Sequence, residues 1–270
     1  MLSAKAGRRW WVCAGLLAAA CAPPGAPQPN GHIGKHEAQK AEKALAEVGA
    51  PPAPALAPVV AEVVAHGPRT QKQIALTFDA CSTRDVSQYD ERVTQVLLAT
   101  HTPATLFLGG LWAKQEEAHV RVLANNPLFE LGNHSYTHPH MTSVKDERRL
   151  REELAKTQAE VLALSGHLPK LFRPPYGEYD ARLVRVAAEL GLTTIEFDLA
   201  SGDPDQHATK ERLVEWVLRK AQPGGIVVMH INHLRFHTAE ALPEIISGLR
   251  ARGFELVTVG QLLLGTHGHE

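Results

Sequence analysis

The sequence has little cysteine. Its 270 residues contain three: Cys13 and Cys21 near the start, and Cys81 by itself in the body of the chain. A disulfide framework is therefore excluded for the main domain, which must rest on its own apolar core. There is no charge excess either, since 28 Lys and Arg stand against 29 Asp and Glu, for a formal net charge of −1. Phosphate binding needs a basic face, so no nucleic-acid partner is expected. No internal repeat of fixed period occurs, which excludes a repeat architecture. The apolar stretch from Trp10 to about Ala22 is shorter than the roughly 20 residues that span a bilayer.

What is present at the start has a pattern of its own. Lys5, Arg8 and Arg9 precede the apolar stretch, and small residues follow it. A basic start, a short apolar core and small residues together predict an export signal over residues 1–22. "LLAAAC", ending at Cys21, has the form of a lipoprotein processing site, although Ala18 stands where a larger aliphatic residue is usual. Acylated, Cys21 would be a membrane anchor; otherwise the signal is a plain cleaved one. The expected location is the periplasm or the cell surface. Residues 23–70 are rich in Pro and Ala and read as a linker, with a short helix in "KHEAQKAEKALAEV". The folded domain is expected over 71–270, as a monomer.

Within that domain, apolar β-forming runs alternate with segments of helical spacing. The runs are "QIALTF", "ATLFLGG", "LFELGNH", "KLF", "TTIEFDL", "GIVVMH" and "FELVTV". About seven alternations predict an α/β fold with a parallel sheet, as a closed barrel or an open sheet. In both, function collects at the carboxyl ends of the strands. The polar clusters obey that rule. "FDACSTRD", "NHSYTHPH", "RPPYG", "SGDPD" and "HINHLRFH" each follow a predicted strand.

Taken singly, each cluster is ambiguous. His134 and His138 stand four apart, a spacing that on a helical turn lets two imidazoles share one metal ion. No Glu follows the first His, so the zinc-protease pattern is absent. Asp79 ends an uncharged strand and could be a cap or part of a site. Arg173 precedes a stiff Pro-Pro-Tyr-Gly turn. His230 ends an apolar strand and could be a core histidine.

In order, however, "LTFDA", "NHSYTH", "FRPPYG", "SGDPD" and "GIVVMH" resemble the polysaccharide deacetylases of carbohydrate esterase family four, the NodB-homology domain, over about residues 72–266. The resemblance implies a distorted (β/α)7 barrel. It implies removal of N-acetyl groups from an N-acetylglucosamine polymer, peptidoglycan or an exopolysaccharide. His134 and His138 would hold a divalent metal, zinc in the first place, with cobalt or manganese as substitutes. Asp79 would be the general base and Arg173 its partner. The Tyr176 N–H would hold the oxyanion, His230 would protonate the leaving amine, and Asp203 would orient His230.

The chain also departs from the family. Ala80 occupies the place of the carboxylate that serves as third metal ligand. Asp85, Asp90, His140, His233, His237 and Cys81 are replacements by residue type, and Asp79 or water could complete the set instead. Ala200 and Pro204 replace the first Asp and the Trp of the family's motif around "SGDPD". His233 and His237 are additional histidines that would line the cleft or belong to a solvated loop. Two other functions therefore stand beside N-deacetylation: a catalytically silent glycan-binding lipoprotein, and an O-acetyl esterase of the xylan type.

Overall fold

The computed structural model describes residues 61–83 and 88–264. The expected signal at 1–22, the Cys21 anchor, the linker up to residue 60, and Asp85 lie outside the described residues.

Among the described residues, nine parallel strands form one curled sheet. They are β1 (Val63–Val64), β2 (Gln73–Ala80), β3 (Ala104–Leu108), β4 (Phe129–Asn133), β5 (Leu171–Phe172), β6 (Thr193–Ile195), β7 (Leu199–Ala200), β8 (Gly225–His230) and β9 (Glu255–Val257). Their order is β1-β6-β5-β4-β3-β2-β8-β7, with β9 paired to the start of β2. The end strands β1 and β7 do not pair with each other among the described residues, so the barrel is distorted into a half-barrel. Pairing begins at Val63, in register with Thr194, ahead of the start at 71 expected from composition.

The helices are α1 (Glu91–Ala99), α2 (Gly110–Gln115), α3 (Glu117–Ala124), α4 (Glu147–Ser165), α5 (Ala181–Glu189), α6 (Lys210–Lys220), α7 (Thr238–Ala251) and α8 (Val259–Leu264). Several begin on the side chain expected to start a helix. Asp90 caps α1, Asp146 caps α4, Asp180 caps α5 and Thr209 caps α6.

Strand alternation divides the core and aims the polar groups. Successive side chains of a strand point to opposite faces. In β2, Ile74, Leu76, Phe78 and Ala80 join the apolar layer under the helices. Ala75 instead packs with Phe107, Ile226 and Val257 on the concave side. Thr77 and Asp79 share the parity of Ala75. The same alternation places Val227, Met229 and Ile231 in the helix-side layer, and Ile226 on the concave side. A fully buried side chain of this size stabilises the fold by about 1.5–3 kcal/mol. Both faces of the central strands are thus fixed, and a change of register would expel the site residues along with the core.

Candidate active site

The site is built on the strand ends of that concave face. Asp79 in β2 is the register partner of His230 in β8 on one side and of Phe107 in β3 on the other. Arg173 follows β5, and its N–H donates to the Asn133 carbonyl at 2.9 Å. Its guanidinium is fully buried. Nη1 donates to Asp79 Oδ1 at 2.9 Å and to Thr77 Oγ1 at 2.7 Å, while Nη2 donates to the Glu196 carbonyl at 3.4 Å. The Phe107 ring lies 4.1 Å from the guanidinium carbon, a cation–π contact. Burial pushes the Asp79 carboxyl up, but Arg173, His134 and His230 together outweigh it and hold the carboxyl below its ordinary value.

His134 Nδ1 donates to the Arg173 carbonyl at 2.8 Å. That bond leaves Nε2 as the free nitrogen, 3.8 Å from Asp79 Oδ2 and 3.7 Å from Cys81 Sγ. The His134–His138 segment is a loop and not a helical turn. Ser135 and His138 both adopt left-handed backbone angles, at φ 60 and 56. This fold of the chain brings the two rings to 4.9 Å between centroids. Potential metal-donor atoms of Cys81, His134 and His138 all lie within 4.8 Å of one another.

Two supports hold the loop. The first is the start of α2, where the N–H groups of Gly110 and Leu111 donate to the Ser135 and Tyr136 carbonyls at 2.9 and 3.0 Å. Gly110 is required there, because a Cβ would come within 2.3 Å of the Tyr136 ring. The second is Glu153 of α4. Its carboxylate accepts from the N–H groups of Tyr136 and Thr137 at 2.9 and 2.8 Å, and from Thr137 Oγ1 at 2.7 Å. The charge of helix 145–164 suits a solvated outer helix, and Glu153 is the one charged side chain of α4 that is buried. The missed signal is its position, since Glu153 lies on the buried stripe of Leu150, Leu154, Thr157 and Val161.

On the other side, His230 Nδ1 meets Asp203 Oδ1 at 3.0 Å. Asp203 also accepts from the His230 N–H, from Thr238 Oγ1 and from Ser201 Oγ. Burial works against a charged His230, but Asp203 and Cys81 together outweigh it, and the imidazole is held well above its ordinary value. The Pro175–Gly177 turn places Tyr176 at φ 62, with its ring stacked on His140 at 4.0 Å. Asp79, Cys81, His134, His138, Tyr176, Asp203 and His230 line one cavity of about 990 Å³. All five clusters therefore meet.

Of the replacement ligands by type, only Cys81 joins the histidine pair among the described residues. Asp90 caps α1 and pairs with Arg92 at 2.8 Å. His140 pairs with Glu178 at 3.0 Å, and His237 with Glu240 at 2.6 Å. His233 lines the cavity beside Phe236, so of the two additional histidines one faces the cleft and one lies on the surface. One sulfur and two imidazole nitrogens facing an open cavity suit a divalent metal that keeps a free position.

Behind Arg173 sits a carboxyl that sequence reading does not single out. Glu196 is buried, and its Oε1 has no hydrogen-bond partner among protein groups. Burial pushes it up to about 7, although Arg173 pulls the other way. The folded protein thus keeps this proton to about pH 7, while an unfolded chain gives it up near 4.5. Stability attributable to this group falls as pH rises across that window. Glu196→Gln is expected to be more stable than the parent at pH 8, by about 1–3 kcal/mol, with the difference shrinking towards pH 5. Urea unfolding at the two pH values measures it; an equal shift at both would show that Glu196 does not titrate.

Residues 66–195 match the polysaccharide deacetylase family. YlxY of Bacillus subtilis is 30% identical over 177 residues, covering 66% of this chain but only 54% of that protein. A peptidoglycan-N-acetylglucosamine deacetylase of Bacillus cereus is 29% identical over 196 residues, 72% of this chain and 69% of that one. Among solved structures, a family 4 carbohydrate esterase from Streptomyces lividans, in complex with acetate, is 32% identical with a TM-score of 0.60, covering 67% of this chain and 90% of that one. A family 4 pseudoenzyme from Bacillus anthracis is 27% identical with a TM-score of 0.66, covering 74% and 68%.

Proposed function

Because this chain belongs to the polysaccharide deacetylase family, we propose that it is a metal-dependent hydrolase removing N-acetyl groups from an N-acetylglucosamine-containing polysaccharide of the cell envelope. The observation that carries this reading is the pairing of Asp79 with His230 across adjacent strands, beside a metal-donor cluster in the same cavity. Relatives that act on peptidoglycan support both the substrate class and an extracytoplasmic location.

The chemistry requires a base for water and an acid for a poor leaving group. A divalent metal, zinc by preference, would be held by His134 and His138, and would supply Lewis acidity towards water and the acetyl carbonyl. Asp79, kept ionised by Arg173, accepts the proton of the attacking water. The Tyr176 N–H, carried by the rigid RPPYG turn, donates to the oxyanion. His230 gives its proton to the departing amine as the C–N bond breaks. Asp203 engages Nδ1 of that ring, so Nε2 is the nitrogen left to deliver the proton.

The test is acetate release from N-acetylglucosamine oligomers and from acetylxylan by the full chain with zinc. Release from the amide substrate is expected. His230→Gln should lower amide turnover by about 100-fold and ester turnover by much less, because an alkoxide leaves unprotonated far more readily than an amide anion. Acetate from the ester alone would select the xylan-type esterase. Ala80 and the pseudoenzyme relative favour a second reading, a silent glycan-binding module. Glycan binding with no acetate from either substrate would establish that module instead.

A further inference from the structure

We propose that Cys81 is the third protein donor to the metal, bound as a thiolate in place of the carboxylate that Ala80 removes. The proposal rests on the metal-dependent reading above and concerns how this chain fills its metal site.

Strand parity supplies the first argument. Ala80 is fully buried in the apolar layer beneath the helices, with Leu76 and Phe78. Asp79 and Cys81, one residue to either side, both line the cavity. The residue after the strand therefore returns to the site face, and there it is a metal-ligating side chain. Its backbone is held as well, because Asn232 Nδ2 donates to the Cys81 carbonyl at 3.0 Å.

Distances supply the second. In a tetrahedral zinc site, bonds of about 2.0–2.1 Å to nitrogen and 2.3 Å to sulfur place neighbouring donors roughly 3.3–3.6 Å apart. The Cys81 Sγ to His134 Nε2 separation is already 3.7 Å. No separation within the donor set exceeds 4.8 Å, so the remainder close by about an ångström of side-chain rotation. The Arg173 carbonyl occupies His134 Nδ1 and so presents Nε2 to this cluster. A ligating imidazole commonly has its other nitrogen tied in this way.

Elimination among the described residues supplies the third, since His233 does not join the donor cluster. Asp90, His140 and His237 are engaged with Arg92, Glu178 and Glu240 respectively. A Cys–His–His set with an open position fits a borderline divalent ion such as zinc or cobalt(II), and disfavours manganese and magnesium, which prefer oxygen. In the bound state sulfur is a thiolate that donates an electron pair to the ion, and the protons of the donor set go to solvent.

The experiment is a cobalt(II) titration of the full chain carrying Cys13→Ser and Cys21→Ser, in which Cys81 is the single thiol. One equivalent of cobalt should bind with a near-ultraviolet thiolate-to-cobalt charge-transfer band. Cys81→Ala should lose the band and weaken zinc binding by more than about 100-fold, since removing even an outer-sphere partner costs 10–100-fold. Cys81→Asp should bind cobalt without the band, and its binding would show that the substituted site still folds. Cobalt bound with no band, or a band that survives Cys81→Ala, overturns the thiolate and leaves the deacetylase reading standing. Failure of the unsubstituted thiol to bind either cobalt or zinc overturns both, and absence of acetate release would then accompany it.

Discussion

Asp79→Asn is expected to lower acetate release by about a thousand- to ten-thousand-fold while leaving zinc content unchanged. The rate loss follows from chemistry. An amide cannot accept the proton of the attacking water, and such transfers contribute up to about 10⁴-fold. The retained metal follows from geometry. Asp79 Oδ2 stands 3.8 Å from His134 Nε2 and lies outside the Cys81–His134–His138 donor set. The two readouts should therefore part company, since a ligand would lose metal and rate together. Turnover within tenfold of the parent would remove Asp79 from the role of base. Loss of zinc in step with rate would make it a ligand instead.

Arg173→Ala should have the largest effect on stability, about 3–5 kcal/mol, because it strips the counter-charge from a buried carboxylate. The Arg173 side chain is wholly buried and bonds Thr77, Asp79 and the Glu196 carbonyl at once. Its removal also leaves the Phe107 ring facing a void. The pH dependence has a definite sign. In the parent, the folded pKa of Asp79 lies below the ordinary 3.8, so its contribution is present above that value and is lost as pH falls through the folded pKa. Without Arg173, burial has less opposition and the carboxyl titrates higher. The deficit should therefore be greatest near neutrality and shrink in acid, a trend urea unfolding at pH 4 and pH 7 would resolve. Arg173→Lys should recover little, because one ammonium cannot reproduce a fork that reaches three oxygens. A loss below about 1 kcal/mol for the alanine variant would mean that water solvates the carboxylate.

Much of this arrangement is legible in the chain. The strands β2, β3, β4 and β8 announce themselves as short apolar runs, and all of them but β3 end on a polar cluster. Convergence of the five clusters follows from the rule that parallel sheets work at their carboxyl ends. The features that are not legible depend on partners distant in sequence. Val63–Val64 is a strand only because Thr194 and Ile195 receive it. The His134–His138 spacing suits a helix, but here two left-handed residues, the start of α2 and the Glu153 carboxylate set the ring positions. Glu153 is one acid among many on α4 until the Tyr136 and Thr137 N–H groups are seen on it. Cys81 is one of six replacement donors by type, and ranking them takes knowledge of which others already hold a partner. Glu196 looks like an ordinary carboxylate in "TTIEFDL" until burial is known.

The β2–β8 register makes the spacing of Asp79 and His230, the two groups proposed to move protons, a main-chain quantity. Asp79 and His230 occupy facing rungs of one hydrogen-bonded ladder, whose strands lie about 4.7–4.9 Å apart. Substitutions in the surrounding loops can reshape the cleft without altering that interval. Inserting one residue into β2 between Thr77 and Asp79 would do the opposite. It would turn the carboxylate through the sheet, from the cavity into oil.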